Sequence, residues 1–204
     1  MPCPNGEYDT LLYCFTSALL PEMSTYSKGQ RHTYYRELRT KLAYDLDEAQ
    51  LYINFGYKKM HNKAKMQTEL LNGRPIEKAW FRRYLCDYFN INLVVLVGNM
   101  LYIGRPLQRV PTILMSYERR RLELILYSGG NGIFPASFVD TLTSLQAPSL
   151  TQLKGVSTYK AADLQDMAKA LDIPTEREVG IRKKAKRKDE LYGEIRTHLG
   201  WLVM

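Results

Sequence analysis

The chain has 204 residues, 45% of them hydrophobic and 25% charged, ordinary globular proportions that exclude a chain disordered throughout. Its formal net charge of +8 favours anionic partners, whether nucleic acid, membrane surface or acidic protein, without choosing among them. Three scattered cysteines and three histidines lack metal-ligand spacing, and the longest apolar run, near Leu93 to Val97, is too short to span a bilayer, which argues against a disulfide scaffold, a zinc site and a membrane span. The start carries no basic region followed by an apolar stretch, so a reducing, intracellular setting is expected. Fifteen tyrosines suit half-wet surfaces and interfaces, where a ring is buried and its hydroxyl stays at a polar edge.

In chain order, Leu11, Leu12, Phe15, Ala18 and Leu19 have helical spacing and predict a mostly buried helix from Thr10 to Leu20, stopped by Pro21. Gln30 to Tyr44 reads as an amphipathic helix, with Tyr34, Tyr35, Leu38 and Leu42 on its apolar side and Arg31, Arg36, Arg39 and Lys41 on a solvated one. Glu48 to Leu71 is polar and suggests helices or a loop over the core, with Lys58, Lys59, Lys63 and Lys65 set around Tyr52, Phe55, Tyr57 and Met60. After the turn Asn72-Gly73-Arg74-Pro75, the stripe Ala79, Trp80, Tyr84, Leu85, Tyr88 predicts a helix that packs on a sheet.

The β-branched run Ile91 to Val97, the turn pair Gly98-Asn99 and the segment Met100 to Ile103 read as a hairpin. Thr112 to Tyr117 and Leu122 to Tyr127 read as a second, joined by Glu118-Arg119-Arg120-Arg121. Gly129-Gly130-Asn131-Gly132 then ends the strand zone as a plain turn, because no Lys-Ser/Thr follows to make it a phosphate loop. From Thr141 to Ser157 Ser, Thr, Gln and Pro148 mark a linker, placed at 146–157. Beyond it, Tyr159, Leu164, Met167, Ala168 and Leu171, and then Leu191, Ile195 and Leu199, form two helical stripes.

Between these stripes, Arg182, Lys183, Lys184, Lys186, Arg187 and Lys188 put six cations into seven residues, at or just before the last helix. Six cations cannot be buried unpaired, and contact with phosphates would release counterions and give salt-dependent, sequence-blind affinity. A solvated loop or a localisation signal would carry the same pattern.

Cys14 is the candidate nucleophile, but it falls inside the first helix and not at its start, where the dipole would lower its pKa. His32 and His61 precede the sheet and His198 lies in the last helix, so no histidine is expected on a strand. An inert, buried thiol is therefore favoured. No paired carboxylates, His-Glu-x-x-His or Gly-x-Ser-x-Gly offer a rival site. The expectation is no catalytic residue, no metal and no cofactor.

The order of elements in residues 8–140, with Tyr13-Cys14-Phe15-Thr16-Ser17, Leu38-Arg39 and Trp80 through Val97, resembles the ovarian-tumour-type (OTU) cysteine proteases, a papain-like α/β family. Aligned on Phe15 and Ser17, the family's nucleophile falls on Tyr13, and where its histidine should follow Tyr127 the chain has Ser128-Gly129-Gly130-Asn131. The resemblance implies the fold without the hydrolysis. Residues 157–199, through Leu164-x-x-Met167-Ala168-x-x-Leu171-x-Ile173 and Arg187-Lys188-x-x-Leu191-x-x-x-Ile195, resemble the helix–extended-loop–helix module of SAP-type DNA-binding segments, with a longer and more charged loop.

The expected architecture is α/β (α+β): an OTU-like domain over 1–145 with a central, mostly antiparallel sheet flanked by helices, the linker, and a SAP-like basic helical module over 158–204. Together the resemblances imply a non-enzymatic minor capsid or capsid-associated protein of a large DNA virus. It would be found in the virion and, during assembly, in the host cytoplasm or nucleus. Other capsid proteins would be its partners, and DNA would bind at the basic run. Two rivals stay open: an OTU-like protease or deubiquitinase using Cys14, and a DNA-binding accessory protein.

Overall fold

In a computed structural model, which describes residues 10–48, 50–59, 61–73, 79–103, 107, 109–118, 121–127, 132–144, 149–150, 153–179 and 182–199, the chain is mixed α/β. It divides into two compact units, Cys3–Ile76 and Glu77–Met204.

The first unit is helical. Helix α1 spans Thr10–Leu19, and residues 11–16 are buried without a break, as expected of a helix apolar on nearly every side. A 3-10 turn from Pro21 to Thr25 follows it, because proline cannot extend the helix. Helix α2, Lys28–Glu48, is longer than its sequence pattern. Its inward face is Tyr35, Arg39, Leu42, Ala43 and Leu46, while Tyr34 and Leu38 are only half-buried. Arg39 is 4% exposed, so its assignment to the solvated side is corrected: it sits four residues from both Tyr35 and Ala43, on the stripe itself. Desolvation pulls its guanidinium pKa down to about 10, which leaves it charged at neutral pH. The short helix α3, Leu51–Asn54, and helix α4, Lys63–Leu71, bear out helices in the polar stretch. The Asn62 side chain accepts from the Lys65 N–H to cap α4, which packs on α2 with Gln67 donating to the Ala43 carbonyl at 3.2 Å.

The second unit opens with α5, Ala79–Phe89, and continues through β1, Asn92–Val97, and β2, Met100–Ile103. It goes on with β3, Thr112–Glu118, β4, Arg121–Leu124, β5, Ile133–Phe134, α6, Phe138–Ser144, and β6, Ser149–Leu150. The sheet runs β4-β3-β1-β2-β6, with β5 also on β3. Both expected hairpins, β1 with β2 and β3 with β4, are antiparallel, while β1 with β3 and β2 with β6 are parallel.

Register divides the sheet's side chains into two buried sets, which explains why β1 reads as a continuous apolar run. Val94, Leu101 and Leu114 pack with Phe134 and with Leu142 of α6, flanked by Leu96, Ile103 and Phe138. On the other face lie Val95, Met115 and Leu124, along with Tyr102, whose ring stands 5.4 Å from the Arg82 guanidinium carbon of α5. Buried Asn92 holds the β2–β3 connection: its Oδ1 accepts from the Leu107 N–H at 2.7 Å and its Nδ2 donates to the Leu107 carbonyl at 3.0 Å.

The linker expectation is corrected in part. Ser149–Leu150 adds a strand parallel to β2, and α6 occupies its polar approach. Residues 145–148 and 151–152 lie outside the described ones, as do Cys3, Met60, Arg74-Pro75, Arg119-Arg120 and Ser128-Gly129-Gly130-Asn131, where the absent histidine and the glycine turn were read. The unit boundary at residues 76 and 77 also differs from the one placed at 145, and the C-terminal module shares its unit with the sheet.

That module consists of α7, Ala161–Ala170, the antiparallel strands β7, Glu176–Val179, and β8, Arg182–Ala185, and α8, Lys188–Leu199. Leu164, Ala168, Leu171, Ile173, Leu191, Ile195 and Leu199 are buried as a small helical core, as their spacing predicts. The module rests on the β1–β2 turn. Gly98 has φ +55°, and a Cβ there would lie 2.7 Å from the Ala170 carbonyl oxygen, so only glycine allows this approach. That carbonyl, at the end of α7 where no helical N–H reaches it, accepts from the Asn99 N–H at 3.1 Å.

Candidate nucleic-acid interface

Cys14 lies in the middle of α1 and is 0% exposed, as expected of an inert thiol. Tyr13, onto which the family's nucleophile would fall, is also buried, with the Arg31 guanidinium carbon 5.9 Å from its ring centroid. His32 is exposed on α2, His61 is half-buried near the Tyr57 ring, and His198 is half-buried on α8. Cys86 has its thiol pushed up to about 12, by burial first and by Asp87 second. Among the described residues no group of three His, Cys, Asp or Glu side chains could hold a metal ion. No helix among them is long and apolar enough to cross a membrane.

The basic run lies where the sequence put it, just before the last helix, but it is not an extended loop. Arg182, Lys183 and Lys184 belong to β8, and Lys186 and Arg187 lead into α8, which begins at Lys188. Pairing sorts the hairpin's charges by face, because residues directly opposite in an antiparallel ladder share one. Lys183 is opposite Glu178, and Ala185 is opposite Glu176, which gives that face two carboxylates and one cation. Lys184 is opposite Arg177, so the other face is cationic at this pair. Arg182 pairs with Val179 at the far end of the ladder.

Two further carboxylates take charge out of the run. Lys186 Nζ lies 2.6 Å from Glu194 Oε2, with only 11% of the lysine side chain exposed. Its backbone N–H donates to the Thr175 carbonyl at 2.9 Å. Glu190 accepts from the Arg187 N–H at 2.8 Å, as an N3 glutamate does in a capping box, and its other oxygen pairs with Arg177. One residue thus ties β7 to the start of α8. Among the described residues no ion pair engages Lys184, Arg187 or Lys188, and Lys184 and Arg187 are exposed.

The basic run therefore does not act as one: Lys186 is paired within the fold and Lys183 faces Glu178, whereas Lys184, Arg187 and Lys188 make no ion pair among the described residues. Arg187 and Lys188 at the N-terminus of α8 oppose its dipole, and the first-turn Asp189 and Glu190 offset that cost. Sequence reasoning missed Glu190, Glu194, Arg177 and Glu178. The Glu190 spacing from Arg187 was readable as half a capping box, but the other pairs depend on the hairpin register and on packing. An open depression of about 330 Å³ beside Pro174, Thr175, Glu176, Arg177, Glu178 and Lys183 mixes both charges and is no phosphate cradle.

The module's approach segment is tethered by tyrosines. Tyr192 of α8 donates to the Lys154 carbonyl at 3.0 Å, and the Lys154 N–H donates to the Tyr159 hydroxyl at 3.0 Å. With their hydroxyls committed in this way, the two residues hold the start of the module against its last helix. Comparison with known proteins finds no matching family model, no matching curated protein and no matching solved structure.

Proposed function

We propose that this chain works by binding and not by catalysis, as a minor capsid or other structural component of a large DNA virus particle whose C-terminal module contacts nucleic acid. The observation that carries the reading is the contrast between its two candidate sites. Cys14, the candidate nucleophile of the protease-like segment, is 0% exposed within α1, while Lys184, Arg187 and Lys188 are left without an ion pair among the described residues. A thiol that cannot meet solvent cannot meet an acyl substrate. Open cations on an ordered hairpin and helix start attract phosphate without loss of structure.

The resemblance to OTU-like and SAP-type segments supplies the viral setting, and the tyrosine content suits adhesion to other proteins of the particle. The protease rival needs Cys14 to become exposed with a histidine beside it. Co-purification tests the reading: the chain should sediment with particles, and nuclease treatment should leave a protein-bound fraction. If the chain is found only free of particles, without any particle component bound, the reading fails.

A further inference from the structure

We infer that the C-terminal module binds the phosphate backbone of a nucleic-acid duplex along one line, Lys184, Arg187 and Lys188, and that Lys183 and Lys186 stand outside it. The inference rests on the reading of the module as a nucleic-acid contact and names the ligand's form and the groups that meet it.

Charge sorting selects the line. Glu176 and Glu178 share a face of the hairpin with Lys183, so a phosphate approaching that face meets two carboxylates for one ammonium. Lys186 is held by Glu194 at 2.6 Å, and freeing it would strand a carboxylate. Lys184 lies on the opposite face beside Arg177, whose own charge is met by Glu190. Arg187 and Lys188 continue from the hairpin into the first residue of α8. Four residues of chain reach at most about 14 Å, so the three cations fit neighbouring phosphates of one backbone.

The absence of aromatic residues selects the duplex. Sequence-tolerant binding of single strands relies on rings on which bases stack. The segment 176–188 contains no aromatic residue at all, and the nearby Tyr159 and Tyr192 have their hydroxyls tied to Lys154. A two-stranded ribbon beside a helix start instead matches the rigid, regular backbone of a duplex groove.

The test is a salt titration of the full chain with a labelled duplex of about twenty base pairs, followed by anisotropy between about 50 and 200 mM salt. Lys184→Gln with Arg187→Gln and Lys188→Gln should reduce the slope of log K against log salt by about 2.7, which removes an affinity difference of about forty-fold across that range. Lys183→Gln and Lys186→Gln should each leave the slope within about 0.3 of the parent, even though Lys186→Gln lowers the melting temperature. Unchanged circular dichroism of the triple variant separates lost contact from lost fold.

A slope loss shared evenly by all the cations would overturn the line while leaving nucleic-acid binding in place. No slope change in any variant, or no duplex binding by the parent, would overturn the reading beneath it. Oligo(dT) binding tighter than duplex, or anionic vesicles binding where duplex does not, would overturn the assignment of ligand. Duplex DNA and duplex RNA of one sequence form the last pair of arms. Equal slopes on both support the shared backbone chemistry, and binding confined by base sequence contradicts it.

Discussion

Gly98→Ala should loosen the C-terminal module from the sheet while leaving both individually folded. The added methyl would lie 2.7 Å from the Ala170 carbonyl oxygen, a backbone atom that cannot rotate away. The residue's φ of +55° would cost an L-amino acid roughly 1–2 kcal/mol by itself. Relief of the clash moves the end of α7 and stretches the 3.1 Å bond from Asn99 to Ala170, worth about 1 kcal/mol. The sum is a destabilisation of roughly 2–3 kcal/mol. Urea unfolding followed by circular dichroism measures it, and hydrogen exchange at the Asn99 amide locates it. Gly193→Ala is the control: it lies within α8 with nothing within 4 Å of a new Cβ, and should stabilise by about 0.5–1 kcal/mol. A Gly98→Ala protein within about 0.5 kcal/mol of the parent would refute the argument that this turn seats the module.

Asn92→Ala removes the only side chain that both donates to and accepts from Leu107 among the described bonds, and should cost about 2–3 kcal/mol in denaturant unfolding, with faster exchange at the Leu107 amide. Ile195→Ala opens a cavity in the α7–α8 core and should cost roughly 2–4 kcal/mol, seen as broadening of module resonances while those of β1 and β3 persist. The raised Cys86 pKa fixes the sign of a pH effect. The unfolded thiol releases its proton near its ordinary value of 9.0 while the folded one holds it to about 12, so stability contributed by this group is lost as pH rises between these values. Cys86→Ala should flatten that part of the curve, and an unchanged alkaline slope would contradict the burial-based cause.

The sheet was legible because its chemistry is local. The run from Ile91 to Val97 is apolar at both parities, Gly98-Asn99 supplies the positive φ that a tight hairpin turn requires, and the register follows from both. Helices α1, α5, α7 and α8 were legible by period. The charge of Arg39 points to the solvated side, but its position, four residues from Tyr35 and from Ala43, sets it on the buried stripe. The hairpin of β7 and β8 has no apolar alternation, so the sequence shows only a charged loop there and neither the strands nor their pairing. Only pairing shows that Lys183 stands opposite Glu178 and Lys184 opposite Arg177. Lys186 and Glu194 are joined by the way β8 meets α8, which no spacing in the run announces. The two-residue strand β6 is shorter than any sequence pattern resolves.

The central claim, binding through the surface in place of chemistry at Cys14, is tested most directly by the alkylation rate of that thiol in the native full-length chain, resolved from Cys3 and Cys86 by peptide mass spectrometry. A residue that is 0% exposed should react only through unfolding, at least about a thousand-fold slower than in denaturant for a domain of ordinary stability. Native Cys14 reacting as fast as the unfolded thiol, or faster, would show an open and activated nucleophile and would contradict the account.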